Sequence, residues 1–133
     1  MRRASHVLVV LVCLQVAACA ATIQKGAVAS KQAAQLVENI QTAETEIYNA
    51  GTLSLDQHQW WATMFVGIAD GITAINAGLR AGHTPSVHSA VEGTLAFVDG
   101  MVTELDVFDD ERKVLIQVLL STLRSVLVAL SVI

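Results

Sequence analysis

A chain of 133 residues, 53% of them hydrophobic, can bury one core and reads as one domain. Its formal charge of -4 comes from 8 basic residues spread among 12 acidic ones. That balance excludes the basic stripe of a nucleic-acid binder and gives no electrostatic pull toward anionic lipid.

The N-terminus has three parts. Arg2 and Arg3 are a positive start, residues 7–16 are nearly all Val and Leu, and Ala17, Ala18, Ala20 and Ala21 are small. This is the pattern of a secretory signal. The apolar run is about half the roughly 20 residues that a permanent span needs. Val16-Ala17-Ala18-Cys19 places an aliphatic residue and two small ones before a cysteine. This stretch resembles the lipobox of bacterial lipoprotein precursors. The resemblance covers residues 1–19 alone and does not extend to the mature domain.

The resemblance implies a signal peptide at 1–18, a lipid (palmitate among its chains) on Cys19, and membrane attachment. Cys13 does not fit, because Val12 before it is bulky. Several acyl chains on one residue hold firmly, since each buried methylene adds about 0.8 kcal/mol of membrane affinity. Ala20 in place of Asp implies, in a host with two membranes, the periplasmic face of the outer membrane. Cleavage after Ala20 or Ala21 would instead give a secreted or periplasmic protein, and an uncleaved anchor is a further alternative. Loss of residues 1–18 leaves about 115 residues without a disulfide, because Cys13 and Cys19 are the only cysteines.

Residues 19–26 read as the lipidated cysteine and a short tether, and 27–133 as a helical domain. The spacing predicts a first helix over 27–50, with Ala29, Ala33, Leu36, Val37, Ile40, Ala43 and Ile47 on one face. Gly51 suits a left-handed cap. Glu44 falls near this stripe and is placed at its edge, reaching water; His58 and Arg80 are its candidate partners if it is buried.

Ser54 and Gln57 form a capping box that opens a second helix. Trp61, Phe65, Ile68, Ile72, Ile75 and Leu79 are its core stripe, with Met64 beside them. Gly67, Gly71 and Gly78 share a flank and predict close approach by a neighbouring helix, offsetting about 1 kcal/mol of helix propensity each. Asp70 between them argues against a membrane span.

Thr84 as cap and Pro85 at the first helical position open the third helix. Its stripe is Val87, Val91, Leu95, Val98, Val102 and Leu105. Acids at 106–110 sit where a fourth helix begins and complement its positive end, and 114–133 is its body. That helix is strongly apolar apart from Gln117, Ser121, Arg124, Ser125 and Ser131, and it reads as buried over most of its circumference. Connections of about three to six residues make sequential helices antiparallel. The expected fold is all-α: an up-down four-helix bundle, or a three-helix core with a looser first helix.

No residue set declares a reaction. His58, His83 and His88 never sit three or four apart on one face, and there is no Glu-x-x-His, so a metal site is not expected. No Ser-His-Asp, Cys-His, paired-carboxylate or phosphate-loop pattern is present, and neither an enzyme nor a cofactor is expected. Trp60 lies about 100° from Trp61 around the helix, and Phe97 lies off its helix's stripe. Both are candidate contacts for a partner, although covering a neighbouring helix explains them as well.

The chain is expected to be a lipid-anchored cell-envelope protein working by contact with another protein, a role compatible with a phage or prophage origin. One alternative is a small holin-like or membrane-disrupting protein spanning with 60–79 and 114–133. Another is a bundle binding a ligand between its helices beside Trp61.

Overall fold

The computed structural model describes the backbone of residues 2–133 and the side chains of residues 24–133. The proposed signal and lipobox, with Val16, Ala17, Ala18 and Cys19, lie outside the residues whose side chains are described. The fold is an all-α four-helix bundle with no strand among the described residues: α1 (Arg2–Asn49), α2 (Leu55–Ala81), α3 (Thr84–Val102) and α4 (Asp110–Leu130), with a single 3-10 turn at Leu105–Val107 before α4. Each helix packs on the next, and α4 closes the ring on α1.

Buried positions recur in alternating steps of three and four in every helix. In α1 they are Gly26, Ser30, Ala33, Val37, Ile40, Glu44 and Ile47. In α2 the six expected residues are all buried, Trp61 to Leu79. In α3 they are Val87, Val91, Thr94, Val98 and Met101, continued by Leu105. In α4 they are Ile116, Leu120, Leu123, Leu127 and Leu130. A mean step of about 3.5 is the repeat of knobs-into-holes packing between nearly antiparallel helices. One register therefore runs through the whole molecule.

The ends are fixed by specific caps. Gly51 and Gly82 take φ of 82° and 63°, the left-handed region that a side chain disfavours. Ser54 Oγ accepts from Gln57 N–H at 3.1 Å, and Gln57 Oε1 accepts from Ser54 N–H at 2.9 Å. This is the expected capping box. The cap of α3 is His83 instead of Thr84: its Nδ1 accepts from Ser86 N–H, and Thr84 and Pro85 fill the first helical turn. Asp109 caps α4 by accepting from Arg112 N–H at 3.0 Å. The helix begins at Asp110, among the acids expected at its start.

Four further expectations are corrected. The first helix begins at Arg2, not Ala27. No proline interrupts it, and Gly26 is buried where α1 meets Leu79 and Ile133. In α3 the stripe turns through Thr94 and Met101, while Val102 faces out and Leu95 is half-buried. Glu44 is 1% exposed and belongs to the core. Finally, α4 buries one stripe only, leaving Val114, Leu115, Val118, Val128 and Val132 exposed.

Candidate functional site

The outward face of α4 is the largest feature that the fold leaves unexplained. Leu115, Val118, Thr122, Ser125, Ala129 and Val132 are all exposed, at steps of three and four. They form a second heptad stripe on the side opposite the core stripe. Val118 is 57% exposed and Val132 82%. Val114 and Val128 widen the strip. Its two central hydroxyls are already satisfied within the helix: Thr122 Oγ1 donates to Val118 O at 2.9 Å and Ser125 Oγ to Ser121 O at 3.0 Å. The surface is therefore apolar in effect along about 25 Å. Residues of this kind, regularly spaced and unpacked, mark a contact surface.

The ends of the strip are charged. Glu111 continues the stripe one turn toward the start of α4. At the other end Lys25 of α1 lines a shallow hollow with Ala29, Ala129, Val132 and Ile133. Neither forms an ion pair with another described residue. Nearby charges are engaged: Arg124 Nε donates to Asp99 Oδ1 at 3.0 Å, and Lys113 Nζ to Asp106. The Lys113 hydrogen bond and charge hold the Asp106 carboxyl below its ordinary value and raise the Lys113 ammonium.

A second feature lies at the α1–α2 turn. His58 Nδ1 and Glu44 Oε1 are 2.6 Å apart. The Tyr48 ring stacks on the imidazole, centroids 3.9 Å apart and planes within 4°. The four-residue step from Glu44 to Tyr48 aligns both on α1, while the capping box at Ser54 starts α2 so that His58 arrives one turn later. Burial forces the carboxylate to find a partner, and His58 is the one of the two candidates that the turn brings to it. Thr52 in the same turn donates to Ile47 O and accepts from Arg112 Nη1 at 2.9 Å, tying α4 to this end. The three side chains form an ordered polar plug. No cluster of three His, Cys, Asp or Glu side chains that could hold a metal ion occurs among the described residues.

The two aromatic candidates sit on the α2–α3 side. Phe97, 37% exposed, lays its ring over Gly67, where an added Cβ would lie 2.5 Å from its carbons. Gly71 meets Thr94 in the same way, so the glycine flank is where α3 comes close. Trp60, 36% exposed, sits edge-on to Trp61 at 5.5 Å. Trp60 and Trp61 border an open cleft of about 270 Å³ with Asp56, Gln57, Glu104 and Val107. The cleft is at the end of the bundle, and the core between the helices beside Trp61 is filled by Phe65 and Phe108. His83 is a cap, and His88 has its Nε2 buried without a partner. The structure brings Glu44, Tyr48 and His58 together and leaves Trp60 and Phe97 apart from the α4 strip.

The strip is the element that sequence reading missed. Its signal was present, since 115, 118, 122, 125, 129 and 132 repeat in the same steps as the core stripe. A helix apolar on two faces reads as one buried on both.

No protein family, characterised protein or solved structure matches this chain.

Proposed function

We propose that this protein is a lipid-tethered helical module of the cell envelope that acts by protein contact. The observation that carries the reading is the pairing of Val16-Ala17-Ala18-Cys19 with the exposed apolar strip of α4. The first supplies attachment through a thioether-linked lipid on Cys19. The second supplies a surface suited to another protein. Trp60 and Phe97 offer a smaller, separate contact on the α2–α3 side. In a host with two membranes the domain faces the periplasm from the outer membrane. Metabolic palmitate labelling of the wild type and of Cys19→Ala, with membrane fractionation, tests the tether. Label and membrane association are expected to be lost together in the variant. A wild type that takes no label overturns it.

A second reading has its own observation. α2 and α4 are each long and apolar enough to cross a membrane, with mean hydropathy of 1.3 and 1.8 over their best windows. A holin-like protein would use both as spans. Against this, the polar Glu44–His58 pair and the common heptad register are satisfied only when these helices pack with α1 and α3. Retention of Cys19→Ala in membranes after alkaline carbonate extraction would favour the spanning form.

A further inference from the structure

We infer that the outward strip of α4 pairs with the same strip of a second copy, antiparallel, about a twofold axis between Leu123 and Arg124. The inference rests on the contact half of the proposed function and not on the lipid.

The strip is self-complementary. Reversed onto itself, it sets Leu115 against the partner's Val132, Val118 against the partner's Ala129, and Thr122 against the partner's Ser125. Large residues then meet small or β-branched ones at both ends. Small hydroxyl residues meet at the centre, where two helices can approach closely, and those hydroxyls bring no unmet donors because each bonds within its own helix. A closed twofold contact of one patch with itself is the commonest form of oligomer.

Charge selects the antiparallel direction. Side by side in parallel, the acids Asp109, Asp110 and Glu111 of two copies would face one another. Antiparallel, Glu111 reaches about one turn, or ~6 Å, past the partner's Val132. Lys25 stands there, beside Val132 and Ile133. The symmetry makes this opposite-charge contact twice, with two groups that have no ion pair among the described residues. Opposed helix dipoles act in the same sense. A membrane surface is the poorer occupant, since the strip carries an acid, Glu111, at one end and a single Lys25 at the other, not the rows of Lys and Arg that border interfacial helices.

Size sets the strength. A strip about 25 Å long and one helix wide covers much less than the ~800 Å² per partner of a standard interface. The pair is therefore reversible and concentration-dependent. Confinement to a membrane would raise the effective concentration of copies and favour it. Residue 24 stands at one end of the bundle, so the twofold sends the two N-terminal segments from opposite ends. Tethered copies would lie along a bilayer.

The test is cysteine crosslinking in cells that make two differently tagged full-length chains, both carrying Cys13→Ala and Cys19→Ala. One chain bears Val118→Cys and the other Ala129→Cys, both at exposed positions that leave the core intact. Oxidation is expected to give the mixed disulfide. Val118→Cys alone should give none, because its two copies are about 16 Å apart, far beyond disulfide reach. Adding Glu111→Lys should lower the mixed yield about tenfold, and adding Lys25→Glu to it should restore the yield. Self-crosslinking of Val118→Cys without the mixed species overturns the arrangement. So does the absence of any disulfide, or protection of the thiol introduced by Val118→Cys by phosphatidylglycerol–phosphatidylethanolamine vesicles in place of a second chain. Because both backgrounds lack Cys19, failure of the lipid tether would leave this result standing.

Discussion

α1 and α4 lie side by side and use the same heptad register, yet they divide polar and apolar residues in opposite ways. α1 places Ser30 and Glu44 in its core stripe and Lys31, Gln35, Glu38 and Thr42 outside. α4 places only Ile and Leu in its core stripe and a second apolar strip outside. Polar groups inside α1 must find specific partners, and they do: Ser30 Oγ donates to Asn76 Oδ1 at 2.6 Å, and Glu44 meets His58. These contacts fix α1 against α2 and define its register. The outer strip of α4 has no such internal requirement and remains available. The helix that is polar inside sets the fold, and the helix that is apolar outside meets the surroundings.

The sharpest way to break this division is in the core stripe of α4. Leu120 is fully buried, and Leu120→Ala should cost about 2–5 kcal/mol, read by urea unfolding at unchanged m-value. The polar plug of α1 should respond asymmetrically. His58→Ala leaves a buried carboxylate unpaired and should destabilise by about 3 kcal/mol. Glu44→Leu removes the charge itself, while the freed His58 is part-exposed and reaches water. That variant should be neutral or slightly stabilising, and a loss as large as that of His58→Ala would contradict the account of Glu44.

The close α2–α3 contact gives an intermediate effect. Gly71→Ala drives a methyl into Thr94 and should cost about 1–3 kcal/mol, whereas Gly93→Ala, with open space around it, should raise stability slightly. Thermal unfolding distinguishes them.

The exposed Asp106–Lys113 pair should matter least. Asp106 titrates below its ordinary 3.8 in the folded chain, so its small contribution is present above that value and is lost as pH falls through the folded one. Asp106→Asn should lower stability slightly at neutral pH and flatten its acid-side slope, so that the difference from the wild type closes as pH falls.

The bundle was legible because three- and four-residue spacing, the Ser54 capping box and the two glycine caps are local signals. All six core positions of α2 followed from spacing alone. In α3, Val102 and Met101 both continue an apolar run, and it is Met101 that keeps the alternating register from Val98 to Leu105 and is buried. Glu44 was misjudged because an acid beside Ile40 and Ile47 is costly to bury unless a partner arrives from elsewhere, and His58 comes from another helix. The α4 strip was misjudged for the complementary reason. Hydrophobicity indicates that a face prefers burial, but it does not name what buries it. The proposed lipobox rests on a contiguous pattern, Val16 to Cys19, and is read without tertiary context.

The central claim is that α4 has one face for its own bundle and one for a second chain. Sedimentation equilibrium of the full-length Cys13→Ala/Cys19→Ala chain, compared with the same chain carrying Val118→Glu, tests it most directly. The account predicts a reversible monomer–dimer equilibrium for the first and monomer alone for the second, with unfolding free energies within about 0.5 kcal/mol of each other. A strictly monomeric parent chain, or a dimer that Val118→Glu leaves intact, would contradict it.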